Sequence, residues 1–338
     1  MLIFTNCLTE TPDEGGLNVA VNIIKRVKER ASDITVVSYE RKSQLTDVYV
    51  KSNKLLLTFD IFRTVAKSKE DILYIPSFSR SFVMALRVFI LSLFSRKKIK
   101  VLLYQVTETG ILTKLLLSLC SAKIIVLSED TKRKFEKIIS KNRVQKISAG
   151  VDTDRFVPVT KREIYELKRK YNFSVDKPLV LHVGHLNRGR NIEYLMKISD
   201  RYNILLVTST LTKNEQDFEL KKELLSCTNI RLIDDYVSDI EEIYQMSDVY
   251  FFPVAEEGRC IDVPISCLEA AACNKPIVTT DFGEMKVFKD RKGFWFIDSF
   301  ETENLNSLID KALKCENPDS RASVLEYDWN EAINEILN

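Results

Sequence analysis

Histidine and glycine are scarce in this 338-residue chain, two of one and nine of the other, so their positions carry information. The two histidines, His182 and His185, have no Asp or Cys at ligand spacing, which speaks against a metal centre. The seven cysteines stand at 7, 120, 227, 260, 267, 273 and 315 without a CxxC pair. That odd, scattered set excludes a disulfide framework and a zinc site and fits a reducing cytoplasm. No run of eighteen uncharged apolar residues occurs, so no membrane span is expected. The opening Met1-Leu-Ile-Phe-Thr5 lacks a basic n-region and reads as a first strand rather than a signal peptide. GxGxxG, GK[ST] and GxSxG are missing too, which disfavours dinucleotide enzymes, P-loop kinases and serine hydrolases. Neither a short-period repeat nor a low-complexity linker breaks the chain.

What is present is an ordinary globular composition, 45% hydrophobic and 29% charged, at a length comfortable for two domains. The net charge of +2 conceals an asymmetry. Residues 1–150 carry 26 Lys/Arg against 14 Asp/Glu, whereas residues 151–338 carry 24 against 34. Halves of opposite sign suggest domains with different partners. Apolar runs of strand length fall at Leu2–Thr5, Ile34–Tyr39, Asp71–Ile75, Lys100–Val106 and Lys123–Leu127. In the second half they fall at Pro178–Val183, Asn203–Thr208, Asn229–Ile233, Asp248–Phe252, Lys275–Thr279 and Phe294–Ile297. Helix-length stretches such as Leu17–Arg30 and Ser81–Phe94 separate them. Alternation at this spacing predicts an α/β chain with two doubly wound parallel sheets.

Glycines gather in the connections, where open α/β sheets bind ligands. Gly15-Gly16 follows the first strand, and Gly184-His-Leu-Asn-Arg-Gly-Arg190-Asn follows another and is expected to open a helix. Arg188 and Arg190 are cations able to clamp a diphosphate, with a solvated basic loop as the plain alternative. His182 is expected to pack within its strand, and His185 to contact phosphate or sugar. Between Asp248 and Thr280 the pattern is strand, loop, helix, strand. Pro264 and Ser266 suit a helix start, whose unpaired amides and dipole favour phosphate, and Glu269 follows within about one turn, in reach of sugar hydroxyls. Ser81–Phe94, followed by Arg96-Lys-Lys-Ile-Lys100, is an apolar helix with a basic end. It reads either as a membrane-interface helix or as core covering a sheet.

In this order the segments Gly15-Gly16, Val126-Leu-Ser128-Glu, Ile147-Ser-Ala-Gly150-Val-Asp152-Thr-Asp-Arg-Phe156, Val183-Gly184-His-Leu…Arg190-Asn, Ile233-Asp-Asp-Tyr-Val237 and Tyr250-Phe-Phe-Pro253…Pro264-Ile-Ser-Cys-Leu-Glu269-Ala-Ala-Ala-Cys-Asn-Lys-Pro276 resemble the large family of retaining GT-B glycosyltransferases, the family 4 type or glycosyl transferases group 1. The resemblance implies two Rossmann-like domains facing across a cleft, with a nucleotide-sugar donor held mainly by the second and the acceptor by the first. It implies Arg190 at the diphosphate, Glu269 at the ribose, Tyr236 and Val237 beside the base, and Pro264, Ile265, Ser266 and Leu268 in the phosphate cradle. Gly15, Gly16, Gly184 and His185 complete the implied donor set, with Gln105 and Ser77 on the acceptor side. Three positions depart from the family pattern. Ile261, beside Asp262, stands where a first glutamate is usual; His185 replaces an arginine, and Gln105 a histidine.

Domains are expected over 1–155 and 156–318, with residues 319–338 forming a helix that packs back on the first. The expected activity is transfer of a hexose to a glycan or lipid-linked acceptor, with Arg190, Glu269 and Asp262 as catalytic residues. No cofactor, metal or nucleic acid is expected. The protein is expected in the cytoplasm, at the inner face of the membrane through residues 81–100. A sugar-nucleotide epimerase on the same fold and a silent partner subunit are the alternatives.

Overall fold

The computed structural model describes residues 1–53, 55–77, 81–105, 109–209 and 216–337. It divides into two compact units. One comprises Met1–Ala149, the short segment Ile261–Val263 and the chain from Trp329 onward; the other comprises Gly150–Cys260 and Pro264–Asp328.

The strands of the first unit are β1 (Leu2–Thr5), β2 (Thr35–Ser38), β3 (Val48–Tyr49), β4 (Ile72–Ile75), β5 (Ile99–Leu103), β6 (Lys123–Val126) and β7 (Val144–Lys146). They pair in parallel in the order β3-β2-β1-β4-β5-β6-β7. Helices α1 (Gly15–Arg30), α2 (Phe59–Lys67), α3 (Ser81–Phe94), α4 (Ile111–Ser118) and α5 (Glu129–Glu136) flank it. Strands covered on both faces bury every side chain, which is why β1 and β4 read as unbroken apolar runs. Phe4, Tyr39 and Tyr74 form the aromatic centre of this core. The run at Lys100–Val106 is a strand to Leu103, and Val106 lies outside the described residues.

In the second unit α6 (Lys161–Lys170) precedes β8 (Leu179–Val183), β9 (Asn203–Val207), α7 (Phe218–Leu225), β10 (Ile230–Ile233), α8 (Ile240–Met246) and β11 (Val249–Phe252). Then come α9 (Ile265–Ala272), β12 (Ile277–Thr279), β13 (Phe294–Phe296) and α10 (Thr302–Leu313). This sheet is also parallel, in the order β10-β9-β8-β11-β12-β13. The last helix, α11 (Trp329–Leu337), belongs to the first unit, where Asn330 and Asn334 accept hydrogen bonds from Arg30 at the end of α1.

Helix α3 buries Met84, Ala85, Arg87, Val88, Ile90 and Leu91 and leaves Phe82, Leu93 and Phe94 exposed. Apolar exposure is greater on α4, where Ile111 is 87% exposed and Leu112 and Leu115 are exposed with it. Among the described residues no helix is long and apolar enough to cross a membrane. All seven cysteines are free thiols.

Candidate functional site

The end of β8 is where the second sheet can hold an anion, because β9 and β11 leave it in opposite directions. The chain does not enter an α-helix there. Two 3₁₀ turns, Arg188–Arg190 and Ile192–Lys197, take its place. The reason is Asn191, which adopts the left-handed conformation (φ 60°) and so interrupts helical continuation. The Asn191 side chain donates to the Pro253 carbonyl at 2.9 Å, and Asn187 accepts from the Gly189 amide at 2.8 Å. The backbone on either side of Arg190 is therefore pinned.

The two arginines of this loop have different fates. Arg188 is neutralised by Glu223 at 2.7 Å and by Asp217 at 3.5 Å. Arg190 is half-buried and, among the described residues, its guanidinium has neither an ion-pair nor a hydrogen-bond partner. Its guanidinium lies over Gly184: a Cβ there would stand 3.2 Å from Arg190 Nη1 and 2.8 Å from His182 Nε2. His182 is fully buried in β8, and its Nδ1 donates to the Phe251 carbonyl at 2.8 Å. Burial holds the imidazole down to about 4, opposed by the Phe251 hydrogen bond and assisted by the Arg190 charge. His185 follows Gly184 in the same loop and is half-buried.

The first turn of α9 supplies a second anion-seeking element. Pro264 stands at its N-cap without a side-chain cap. The amides of Cys267 and Leu268 turn back to the Pro264 carbonyl, while those of Ile265 and Ser266 have no partner among the described residues. The side chains of Ile265 and Leu268 are buried, so only their backbone can face a ligand. Tyr250 of β11 stitches this turn to the Gly184 loop. Its hydroxyl donates to the Val183 carbonyl at 3.2 Å and is hydrogen-bonded by Ser266.

Glu269, one turn on, is buried, and its Oε2 accepts from the Tyr244 hydroxyl at 2.7 Å. Burial, together with the Glu269 charge, pushes Tyr244 far above its ordinary range, so it remains a donor. Tyr236 is 46% exposed in the loop after β10, with Val237 half-buried beside it. Arg155 ties that loop to α8 by donating to the Ser238 carbonyl at 2.6 Å and pairing with Glu241 at 2.6 Å. It also lies within electrostatic reach of Glu269 and Tyr236. Tyr244 and Arg155 are the residues that sequence reasoning missed. Arg155 lies inside a quoted segment but had no role, and Tyr244 looks like one more apolar position of α8.

The remaining site residues lie in the first unit. Gly15 and Gly16 open α1; a Cβ on Gly16 would stand 2.4 Å from the Tyr104 ring, so only glycine fits there. Ser77 exchanges two hydrogen bonds with the buried Asn6 side chain, at 2.8 and 2.9 Å. Gln105 follows β5 and is half-buried. Asp262 accepts through Oδ2 from Ser128 at 2.7 Å and from Thr131 at 2.5 Å, and its amide donates to the Tyr104 carbonyl at 3.0 Å. Ser128 is the N-cap of α5, so this carboxylate also faces the positive end of a helix. Among the described residues no group of three or more His, Cys, Asp or Glu is placed to hold a metal ion.

Comparison with known proteins bears on this geometry. Residues 163–327 match the family described as glycosyl transferases group 1. A Bacillus subtilis (strain 168) protein named as a glycosyltransferase, EpsD, is 27% identical over 162 residues, 46% of this chain and 42% of its own. The N,N'-diacetylbacillosaminyl-diphospho-undecaprenol α-1,3-N-acetylgalactosaminyltransferase of Campylobacter jejuni is 29% identical over 146 residues, 40% of this chain and 35% of its own. The matched part thus spans less than half the length of either relative. Among solved structures, Anabaena HepE in complex with UDP superposes with a TM-score of 0.78 at 14% identity, covering 99% of this chain and 98% of its own. The same protein has been solved with UDP-glucose.

Proposed function

We propose that this chain, whose fold is GT-B and whose residues 163–327 match glycosyl transferases group 1, is a retaining glycosyltransferase moving a hexose from a nucleoside-diphosphate sugar to a glycan or lipid-linked acceptor. The observation that carries this reading is the half-buried Arg190 guanidinium beside Gly184, in the same unit as the Ile265 and Ser266 amides of α9, all three without a partner among the described residues. Negative charge grows on the diphosphate as it leaves, and preorganised donors lower the barrier by meeting that charge as it forms. Arg190 and the Ile265 and Ser266 amides are those donors in this reading, with no cofactor or metal. Glu269, oriented by Tyr244, accepts from the ribose hydroxyls, while Tyr236 and Val237 border the base. UDP is the first nucleotide to try, because HepE was solved with it.

The first unit would receive the acceptor, near Ser77 and Gln105. Its basic surplus and the exposed apolar residues of α3 and α4 support an acceptor carried at an anionic membrane, and the Campylobacter relative is named for a lipid-linked one. One observation favours the silent-subunit reading: the Asp262 carboxylate, the acid nearest to where the family has its first glutamate, is engaged by Ser128 and Thr131. A thermal-shift panel of nucleoside diphosphates tests donor binding, since a ligand of the native state raises its melting temperature. At least one of UDP, GDP, ADP, CDP and dTDP is expected to raise it at millimolar concentration. No shift with any of them would overturn the transferase reading and leave the silent subunit.

A further inference from the structure

The donor reading uses Arg190 but leaves the fully buried imidazole next to it unexplained. The Phe251 carbonyl can only accept, so the proton of His182 sits on Nδ1, which donates to it. The ring is neutral near pH 7, since burial and the Arg190 charge hold it down to about 4. Nε2 is then a bare acceptor, and among the described residues it has no hydrogen-bond partner although it is buried. Such an acceptor is rare in a packed interior and implies a use. The rings of Tyr250 and Phe252 flank the imidazole nearly parallel to it, which fixes its plane. Gly184 stands beside both groups: a Cβ there would lie 2.8 Å from Nε2 and 3.2 Å from Arg190 Nη1.

We infer that His182 is the positioning residue for Arg190: the two are not hydrogen-bonded in the structure, but a turn of the guanidinium beside Gly184 gives one N–H to Nε2 and leaves the other donors for the anion. The anion's identity rests on the donor reading above; the His182–Arg190 pairing does not. Glycine at 184 is then required because any Cβ would crowd both groups. Pinning by Asn187 and Asn191 limits where the guanidinium can go. Arginine suits the arrangement better than lysine, because a planar fork can give one edge to the imidazole and keep another for phosphate.

Only two histidines occur in the chain, so ¹⁵N-histidine NMR of the whole protein reads His182 directly. In the wild type Nδ1 is expected to be protonated and Nε2 bare, and Arg190→Ala should move the Nε2 resonance while leaving Nδ1 nearly unchanged. An Nε2 resonance indifferent to Arg190→Ala would overturn the pairing, whatever the ligand. Calorimetric titration with UDP supplies the functional arm. His182→Asn keeps an N–H for Phe251 but removes the Nε2 acceptor, whereas His182→Gln places an amide oxygen at the depth of Nε2. His182→Asn should weaken UDP binding about ten-fold, the worth of one hydrogen bond to a charged group, and His182→Gln by less. Neither should weaken it further in an Arg190→Ala background. Losses that follow the melting temperatures of the variants, or persist without Arg190, would make His182 a core residue only. If the wild type binds no nucleoside diphosphate, the donor reading fails while the NMR result still decides the pairing.

Discussion

Strand β1 and strand β8 occupy the same place in their sheets, each between neighbours that leave in opposite directions, yet their exits differ. After β1 the chain enters a regular 16-residue helix through Gly15 and Gly16, with no basic residue in the first turn. Gly16 answers a packing demand, the ring of Tyr104. After β8 the chain makes two 3₁₀ turns broken at Asn191, and the guanidinium of Arg190, which ends the first turn, has no ion-pair or hydrogen-bond partner among the described residues. Topology offers an anion site at both ends, but among the described residues the second is the one shown to pair a half-buried cation with unpaired helix amides in its own unit. The comparison shows that the sheet order marks where a ligand can bind, and that side chains decide whether one does.

Arg190→Ala should have the largest effect, because it removes the feature that separates the two exits. A charge-assisted contact to diphosphate is worth roughly 1.5–3 kcal/mol, so affinity should fall about ten- to a hundred-fold with little change in melting temperature. Gly16→Ala probes the other exit and should act on stability. Overpacking against the Tyr104 ring costs about 1–3 kcal/mol, seen as a lower midpoint in urea denaturation. Gly15→Ala meets only the flexible end of Ile261 at 3.1 Å, so its midpoint should move less. A Gly16→Ala protein as stable as wild type would remove the packing explanation.

Glu269→Gln should weaken nucleotide binding by about ten-fold, because an amide accepts less strongly from ribose hydroxyls than a carboxylate. Its oxygen can still accept from Tyr244, so the melting curve should barely move. A large drop in melting temperature with unchanged affinity would reassign Glu269 to supporting α9. The smallest effect expected is on membrane binding. Wild type should float with anionic liposomes at low salt and not at 1 M, where the Debye length is about 3 Å, and reversing Arg96, Lys97 and Lys98 should weaken flotation. Indifference to anionic liposomes at low salt would point to a soluble glycan as acceptor.

Sequence reasoning reached the architecture because parallel strands covered on both faces must be apolar along their whole length. It missed β3 and β7 for the converse reason. Val48–Tyr49 is a two-residue, exposed edge, and Val144–Lys146 is mostly polar. Periodicity also marked Ser81–Phe94 as a helix but could not show that α4 presents more apolar surface. In the Gly184 loop, Arg188 and Arg190 look equivalent on the page. The partner that distinguishes them, Glu223, lies 35 residues away along the chain. The helix expected after Gly184 was cut short because asparagine tolerates the left-handed conformation, which its identity permits but does not require. Asp262 is expected from sequence as a catalytic residue, and the hydroxyls that engage its carboxylate, on Ser128 and Thr131, are more than a hundred residues away.

The central claim is that Arg190 is the diphosphate-binding cation of the second unit and that Arg188, two residues earlier, is structural. Calorimetric titration of UDP into wild type, Arg190→Ala and Arg188→Ala tests it most directly. Saturable binding by wild type, a loss of about ten-fold or more in Arg190→Ala and near-wild-type affinity in Arg188→Ala is the predicted result. Equal affinity in wild type and Arg190→Ala, or a greater loss in Arg188→Ala, would contradict it.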